Sequence, residues 1–212
     1  MFLYIRKNKY IQVLKPLLKP IYLVLARLFI FVFELFVFII VKILKFTFGI
    51  ELINSIIFIA PRAFIKTILK SCGCKIGKNA GVLPHITITN AAGNYTNLII
   101  KDGCFIGKGV NFDLVEPIEL GENSVISGQV TILTHQDAGP NNELRRKFPR
   151  KTGKVVIGKN AWVGVSSTIL CGITIGECSL VGASSLVIED IPSHSVAVGV
   201  PTKVIKKIDM SK

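Results

Sequence analysis

The sequence predicts a mainly β fold, a solenoid of short parallel coils, preceded by hydrophobic α-helices. Two observations support this prediction. From Ile76 onward, aliphatic residues recur every six positions, a period that belongs neither to a helix nor to simple strand alternation. Before that point the chain is apolar and basic, and its stretch 21–41 carries only two charged residues, Arg27 and Glu34.

Charge divides the 212-residue chain into two unequal parts. Residues 1–75 contain 12 lysines and arginines but only two acidic residues, whereas residues 76–212 contain 14 basic and 11 acidic residues. A segment that is both basic and apolar indicates a membrane surface, whereas nucleic acid favours a basic patch on a polar fold. We therefore expect no nucleic-acid partner, a membrane-associating segment over residues 1–71, and membrane contact through residues 10–70.

The segment 21–41 is long enough to cross a bilayer as one helix. Basic residues flank it on both sides, and positive charge favours the cytoplasmic side of a membrane. A single straight crossing would place one basic flank on the wrong side. The pattern therefore favours a re-entrant hairpin, with the apolar stretch 46–60 as its returning arm, or helices lying in the membrane plane. The alternative is that these helices pack on the protein's own core.

The stretch "PRAFIKTILK" (61–70) has the spacing of an amphipathic helix. One predicted face is apolar, with Phe64, Ile65, Ile68 and Leu69, and the other is basic, with Arg62, Lys66 and Lys70. This pattern is typical of a helix that lies at a membrane interface.

The six-residue repeat predicts a prism with three flat sides per coil, because each hexapeptide supplies one short strand and one corner. A β-sandwich would not repeat its turns at a strict interval of six. We assign residues 72–190 to the prism and 191–212 to a C-terminal tail. The repeating positions, with Asn94 the one exception to the aliphatic pattern, are Ile76, Val82, Ile88, Ile100, Ile106 and Phe112, then Leu120, Ile126 and Ile132, then Ile157, Val163, Ile169, Ile175, Val181 and Val187.

The last coils, "IGKNAWVGVSSTILCGITIGECSLVGASSLVIEDIPSHSVAVGVPTKVI" (157–205), resemble the hexapeptide-repeat acyltransferases, which fold as left-handed parallel β-helices. The closest resemblance is to the sugar O-acetyltransferase branch, which includes galactoside, maltose and nodulation-factor acetyltransferases. The resemblance covers about residues 76–205. It implies a homotrimer with acetyl-CoA in the groove between neighbouring prisms, and a sugar or glycan as acceptor.

The repeat breaks between residues 133 and 153, and the break predicts a projecting loop rich in Gly, Pro and Asn. His135 lies at the root of this loop, three residues after Ile132, where the prism would hold its backbone. Histidine has the near-neutral pKa that suits a general base. The stretch "ILTHQD" matches the histidine-bearing motif of the family, and the resemblance implies that His135 is the catalytic base.

The stretch "GVNFDLVEPIELGENSVI" (109–126) resembles the acceptor-binding motif of the sugar acetyltransferases. The resemblance places Asn111 in the acceptor site. Asp113 stands where the family has a second asparagine, so we assign it to the substrate site with an open role. The alternative for Asn111 is a corner residue that adopts a left-handed conformation.

For the co-substrate, the resemblance points to three residues, Trp162, Ala183 and Lys203. Trp162 precedes an inward position, so we expect it on the outer surface, where a ligand or neighbour would cover it. The resemblance implies that the backbone N–H of Ala183 binds the pantetheine and that Lys203 meets the nucleotide phosphates.

The expected activity is transfer of an acetyl group from acetyl-CoA to a sugar hydroxyl of a polysaccharide or lipid-linked glycan precursor at the cytoplasmic face of the inner membrane. An N-acetyltransferase of amino-sugars or drugs, and a non-catalytic membrane scaffold, remain the alternatives. We expect no metal, because the three histidines, His85, His135 and His194, are far apart in the sequence. We expect the five cysteines to be plain thiols in a reducing compartment.

Overall fold

The computed structural model describes residues 9–211, and side chains from residue 22 onward together with that of Pro20. Two α-helices, α1 (Lys9–Ile59) and α2 (Arg62–Ser71), come first. Short strands follow: β1 Lys75–Ile76, β2 Gly81–Val82, β3 Thr87–Thr89, β4 Leu98–Ile100, β5 Phe105–Ile106, β6 Asn111–Asp113, β7 Ile118–Leu120, β8 Val125–Ile126, β9 Thr131–Ile132, β10 His135–Gln136, β11 Lys151–Thr152, β12 Val155–Ile157, β13 Trp162–Val163, β14 Thr168–Ile169, β15 Thr174–Ile175, β16 Leu180–Val181, β17 Leu186–Val187, β18 Ser195–Val198 and β19 Lys203–Lys207.

The strands wind into a three-sided parallel prism, as the six-residue period predicts. Successive strands go to successive faces. The first sheet has the order β1-β4-β7-β12-β15, and the third has the order β17-β14-β9-β6-β3. The second sheet, β19-β18-β16-β13-β8-β5-β2, is longer because the C-terminal residues add β18 and β19 to it. The tail 191–212 therefore extends one face of the prism.

The aliphatic residue of most hexapeptides points into the prism and is fully buried; Ile126, Ile132, Val163 and Ile169 each have zero exposure. Stacked coils approach closely at the corners. A side-chain carbon placed on Gly164 would lie 2.5 Å from the backbone nitrogen of Ala183 in the next coil, so only glycine fits there. The strict period is therefore a packing requirement of the coil-on-coil contact.

Helix α1 bends at Gly49, whose φ of 79° and ψ of −177° are not helical. After this kink, Ile53 and Ile57 are fully buried in the same core cluster as the prism residues. The phenol of Tyr95 donates a 2.8 Å hydrogen bond to Oδ1 of Asn54 and ties this arm to the first coils. The inward face of the arm after Gly49 therefore caps the prism, while Phe58 and Ile59 on its other face stay exposed at 46% and 74%. The inward contacts favour packing on the protein's own core over the returning arm of a membrane hairpin.

Helix α2 has the predicted amphipathic character, but its apolar face is buried inside the protein. Ile65, Ile68 and Leu69 are at most 3% exposed and belong to the core cluster. The ammonium of Lys66 donates to the carbonyl of Ala80 at 3.3 Å, which links the basic side of the helix to the first coil. The apolar residues of α2 are thus used to cover the open end of the prism.

The part of α1 before the kink has a different environment. From Tyr22 to Ile40 most large apolar side chains are exposed, including Phe29 at 72%. The region Tyr22–Ile59 is long and apolar enough to cross a membrane, by length and composition only. Phe33 packs against Phe64 of α2 with ring centroids 5.5 Å apart, so the helix is held to the prism.

Two isoleucines of α1 provide a matched test of the capping role. We expect Ile53→Ala to lower the free energy of unfolding by about 2–5 kcal/mol, because it opens a cavity in a packed core. Ile43→Ala, at a position that is 57% exposed, serves as the control and is expected to leave stability nearly unchanged. Chemical denaturation of the full chain in detergent measures both. Equal effects at the two positions would contradict the cap.

Candidate active site

The interruption of the repeat begins where the third sheet ends. The N–H of Leu133 still donates to Ile169 of the following coil at 2.9 Å, and Thr134 is fully buried. The chain then leaves the prism as an antiparallel hairpin in which His135 of β10 pairs with Thr152 of β11. Its tip contains a short 3₁₀ turn, Glu143–Arg146. His135 is therefore positioned by the rigid prism, as the sequence predicts.

The imidazole of His135 forms a hydrogen bond with the carboxylate of Asp113. Its Nδ1 lies 2.6 Å from Oδ2 of Asp113, and the side chain of His135 remains 25% exposed. An ionised carboxylate only accepts hydrogen bonds, so Nδ1 carries the proton. In the neutral ring this leaves the outer nitrogen, Nε2, as the hydrogen-bond acceptor. Such a carboxylate contact fixes both the tautomer and the orientation of the ring.

Asp113 belongs to β6, directly before β9 in the third sheet, and is only 2% exposed. Its Oδ2 also accepts from the backbone N–H groups of Thr134, at 2.8 Å, and His135, at 3.0 Å. Its Oδ1 accepts from Nδ2 of Asn90 at 2.7 Å. Both oxygens are occupied inside the protein. The carboxylate of Asp113 thus lies beneath the histidine, and its expected place in the substrate site stays a prediction.

Two opposing effects act on the acidity of Asp113. Burial alone raises the pKa of a carboxyl group. The hydrogen bonds from His135, Asn90 and Thr134, together with the positive charge of His135 when its ring is protonated, outweigh burial and lower the pKa of Asp113 below its usual value. The carboxylate is consequently ionised at neutral pH.

Asn111 is two residues before Asp113 on the same strand, and therefore on the same outer side of the sheet. It is a strand residue and does not have a positive φ, whereas four other asparagines, Asn79, Asn90, Asn123 and Asn160, are among the residues in left-handed conformations. Its Oδ1 is buried and has no hydrogen-bond donor within the described part of the chain. A buried oxygen without a donor costs about 1–3 kcal/mol, which a bound hydroxyl would recover.

The residues expected to bind the co-substrate share a different face. Trp162 is on β13 of the second sheet, 50% exposed, and its Nε1 donates to Oγ of Ser127 at 3.0 Å. Lys203 is exposed on β19 of the same sheet. Three strand spacings separate β13 from β19, or about 14 Å. Ala183 is at the corner that follows β16. This outer face could hold an elongated ligand.

The corner that contains Ala183 presents a column of amide donors. Among the hydrogen bonds of residues 9–211, none is donated by the N–H of Gly128, Val165 or Ala183, which occupy equivalent positions in three successive coils. Such groups can bind the carbonyl oxygens of a ligand. The N–H of Ala183 is therefore available, and that of Val165 is equally so.

His135 and Trp162 do not meet within one chain. His135 follows the third sheet, so it is at the corner between the third and first sheets. Trp162 is on the second sheet, the face opposite that corner. The structure thus brings together Asn111, Asp113 and His135 and places Trp162, Ala183 and Lys203 on another side of the prism.

Two residues of the site were missed from sequence, Asn90 and Thr134. Asn90 holds the far oxygen of Asp113, and Oγ1 of Thr134 donates to the backbone carbonyl of Asp113 at 2.7 Å. Their positions in the repeat could have pointed to them. Asn90 lies one coil before Asp113, just after the neighbouring strand of the third sheet, and Thr134 directly precedes His135 in the sequence.

The other histidines lie away from this site. The ring of His85 is 5.4 Å from that of Phe58, and Nε2 of His194 is 3.7 Å from Oε1 of Glu177. Within the described residues, no group of three or more His, Cys, Asp or Glu side chains is close enough to hold a metal ion.

All five cysteines are free thiols. Burial raises the pKa of Cys104 to about 11 and also raises the pKa values of Cys72 and Cys74. Thiols of this kind are poor nucleophiles at neutral pH.

Comparison with known sequences extends these observations. A family model described as the hexapeptide repeat of succinyl-transferase matches residues 97–133 and 154–187. The putative colanic acid biosynthesis acetyltransferase WcaF of Escherichia coli K12 is 32% identical over 146 residues, which is 69% of this chain and 74% of that protein.

Solved structures agree with the sequence matches. A maltose O-acetyltransferase from Clostridium difficile superposes with a TM-score of 0.65 at 29% identity, over 75% of this chain and 84% of that one. A galactoside acetyltransferase in complex with coenzyme A gives a TM-score of 0.57 at 26% identity, over 75% and 78% of the two chains. The prism is accordingly a left-handed parallel β-helix, and the chain belongs to the hexapeptide-repeat acetyltransferases.

Proposed function

We propose that the protein is an acetyl-CoA-dependent O-acetyltransferase that acts on a sugar hydroxyl of a polysaccharide or lipid-linked glycan precursor at the cytoplasmic face of the membrane. The observation that carries the proposal is the 2.6 Å contact between Asp113 and His135, which leaves Nε2 as an exposed base. The names of the relatives support the class of acceptor, since one is assigned to colanic acid biosynthesis and another acetylates maltose.

The mechanism is direct transfer between two bound substrates. Nε2 of His135 takes the proton of the acceptor hydroxyl as its oxygen attacks the thioester carbonyl. The resulting imidazolium is stabilised by the ionised carboxylate of Asp113, 2.6 Å from Nδ1. A backbone N–H in the groove stabilises the tetrahedral oxyanion. The coenzyme A thiolate then leaves and takes the proton back from His135.

Asn111 is the proposed acceptor contact. Its buried amide oxygen lacks a donor among the described residues, and it shares the outer side of β6 with the carboxylate that supports His135. A sugar hydroxyl that donates a hydrogen bond to this oxygen would lie close to His135, the proposed base. Asp113, by contrast, is proposed as a positioning residue that acts through His135.

The second sheet is the proposed binding face for acetyl-CoA. The indole of Trp162 would contact the ligand, the N–H of Ala183 would bind a pantetheine carbonyl, and Lys203 would meet the phosphates. Support comes from the exposure of Trp162 and from the shared sheet of Trp162 and Lys203.

The family resemblance implies a homotrimer, and the separation of these two groups supports an assembly in which the site lies between copies. The corner that holds His135 faces away from the sheet that holds Trp162, so one complete site needs both surfaces from neighbouring copies. Cyclic symmetry repeats the same contact three times and closes the ring. The proposed sites are therefore located between protomers.

The exposed apolar part of α1 supports a membrane location. Phe29 and Phe31 are 72% and 63% exposed, and burying such surface in a bilayer is favourable. Acetyl-CoA is cytosolic, so the prism would face the cytosol. Because one face of the arm after Gly49 packs on the prism, we propose an in-plane helix or a single insertion in place of the hairpin.

The atom that receives the acetyl group, oxygen or nitrogen, distinguishes the proposed O-acetyltransferase from the alternative N-acetyltransferase. An acceptor screen with matched sugars and amino-sugars is expected to give O-acetylated products, whereas acetylated amines alone would identify an N-acetyltransferase. The intact pair of Asp113 and His135 argues against a non-catalytic scaffold, which would have no need of an oriented base.

Removal of the base is the first test. We expect His135→Ala to lower the rate of acetyl transfer by about 10²–10⁴-fold, since general-base catalysis has that magnitude. Binding of coenzyme A, measured by calorimetry, should persist. His194→Ala is the matched control, because the side chain of His194 is partly exposed and pairs with Glu177, outside the contacts of Asp113 and His135. Acetylation near the wild-type rate in the His135 variant would refute the assignment.

Acid unfolding tests the carboxylate of Asp113. Its folded-state pKa lies below the unfolded value of about 4, so its contribution to stability is present above that pH and is lost as the pH falls through the folded pKa. We expect Asp113→Asn to be less stable than wild type at neutral pH and to lose less stability on acidification. Denaturation at a series of pH values measures this; identical pH slopes would contradict the hydrogen-bonded carboxylate.

Subunit mixing tests the location of the site. Trimers of His135→Ala chains or of Trp162→Ala chains alone should each have impaired acetyl transfer. In mixed trimers, some interfaces combine His135 from a Trp162→Ala chain with Trp162 from a His135→Ala chain. Random association of equal amounts is expected to restore about a quarter of the sites. Coexpression with two affinity tags, followed by an acetylation assay, gives the result. Absence of any recovery would place both residues in one protomer's site or neither in catalysis.

A further inference from the structure

A groove of about 410 Å³ lies where α1 crosses α2. One wall is a single stripe of α1, formed by Phe31, Glu34, Leu35 and Phe38, and the other wall carries Lys66 and Lys70 of α2. Phe33 and Phe64, in contact at 5.5 Å, fix the two helices against each other. We call this groove the helix crossing.

The helix crossing has an excess of positive charge. Within residues 22–211, Lys66 and Lys70 form no ion pair, and the first 21 residues contain no acid that could supply one. A third cation, Lys42, has its ammonium 5.6 Å from the centre of the Phe38 ring. Glu34 is the single carboxylate that lines the groove. The groove is thus lined by two lysines and one acid, and Lys42 adds a third cation beside Phe38.

The apolar wall continues directly into exposed surface. Phe31, Leu35 and Phe36 are 63%, 48% and 56% exposed, and the apolar residues of α1 extend toward its N-terminus. A ligand that matches both parts has an alkyl chain to cover the aromatic stripe and an anionic group to meet the lysines. Cation clusters beside an amphipathic surface attract anionic lipids in this way.

We propose that the helix crossing binds the phosphate headgroup of an anionic membrane phospholipid. Lys66 and Lys70 contact the phosphate, Lys42 adds to the local potential, and the stripe of α1 contacts the acyl chain. Glu34 weakens the attraction and keeps the site from binding any anion tightly. This proposal rests on the membrane location proposed above and is independent of the acetyl-transfer chemistry.

The site also determines how the protein would sit on the membrane. Ammonium groups stay at the level of the headgroups, so the lysines of α2 mark the membrane surface. The apolar residues of α1 beyond the crossing then lie in the bilayer, and the prism, which α2 covers, stands on the cytosolic side.

Thermal unfolding of the full chain in non-ionic detergent tests the proposal, with phosphatidylglycerol or phosphatidylcholine of equal chain length added as mixed micelles. Ligand that binds the folded state raises the melting temperature. We expect phosphatidylglycerol to raise it at far lower concentration than phosphatidylcholine, with an apparent preference of about fivefold for each lysine that contacts the headgroup. Added salt should reduce the preference.

Three variants sharpen the test. Lys66→Gln/Lys70→Gln should lose the preference for phosphatidylglycerol, whereas Glu34→Gln should increase it. Lys78→Gln/Lys101→Gln, which removes two exposed lysines of the prism, is the matched control and should behave as wild type. Because Lys66 also bonds Ala80, the single variant Lys70→Gln provides a measurement with that bond intact.

Three outcomes would overturn the proposal: equal stabilisation by the two lipids, an unchanged preference in the double lysine variant, or the same shift with inorganic phosphate alone. Acetyl transfer to a soluble acceptor, measured on the same variants, separates the two hypotheses. We expect it to be unchanged by the lysine substitutions. A lipid effect without any transferase activity would refute the proposed function and leave the headgroup site standing.

Discussion

The close stacking of successive coils is the constraint on which the rest of the molecule depends. Gly164 leaves no space for a side chain against the backbone of the next coil, and the inward aliphatic residues fill the narrow interior completely. Extra residues are therefore accommodated only at the corners, as between Phe112 and Leu120, where the repeat slips by two residues and both side chains stay buried. A solenoid of this kind has no internal cleft. Any site must therefore be built on an outer face, at an interruption, or at an end.

The position of the hairpin that contains His135 depends on β6, the strand of the preceding coil, whose side chains alternate between the core and the outer surface. In β6, Phe112 points into the core, so Asn111 and Asp113 both point outward. The insertion starts one coil later, immediately above, and places Thr134 and His135 over the carboxylate. A buried charge would be costly without partners, and here four hydrogen-bond donors surround it. The arrangement that orients His135 is the same one that makes the burial of Asp113 tolerable.

Much of this could be predicted from sequence because the repeat is strict. The prism, the break after Ile132 and the position of His135 at its root all follow from counting in sixes. The pairing of Asp113 with His135 could not be predicted, since it depends on how a two-residue slip in the repeat aligns residues 22 positions apart. The burial of Ile53 and Ile57 could not be predicted for a related reason. An apolar helix has the same composition whether a bilayer or a protein core covers it, and only the kink at Gly49 turns this arm inward.

The prism also has a direction, which connects the proposed sites to the proposed membrane surface. The helices cover the first coil, and His135 follows β9, two strand spacings above β3 on the same sheet, or about 10 Å along the axis. Strand β19, with Lys203, is six spacings from β2 at the opposite end of the second sheet, or about 29 Å away. If the covered end rests on lipid, the proposed base His135 would stand within reach of an acceptor carried in the membrane, whereas Lys203, the proposed phosphate contact, would lie at the far end, in the cytosol. The two substrates would then approach one site from opposite ends of the prism.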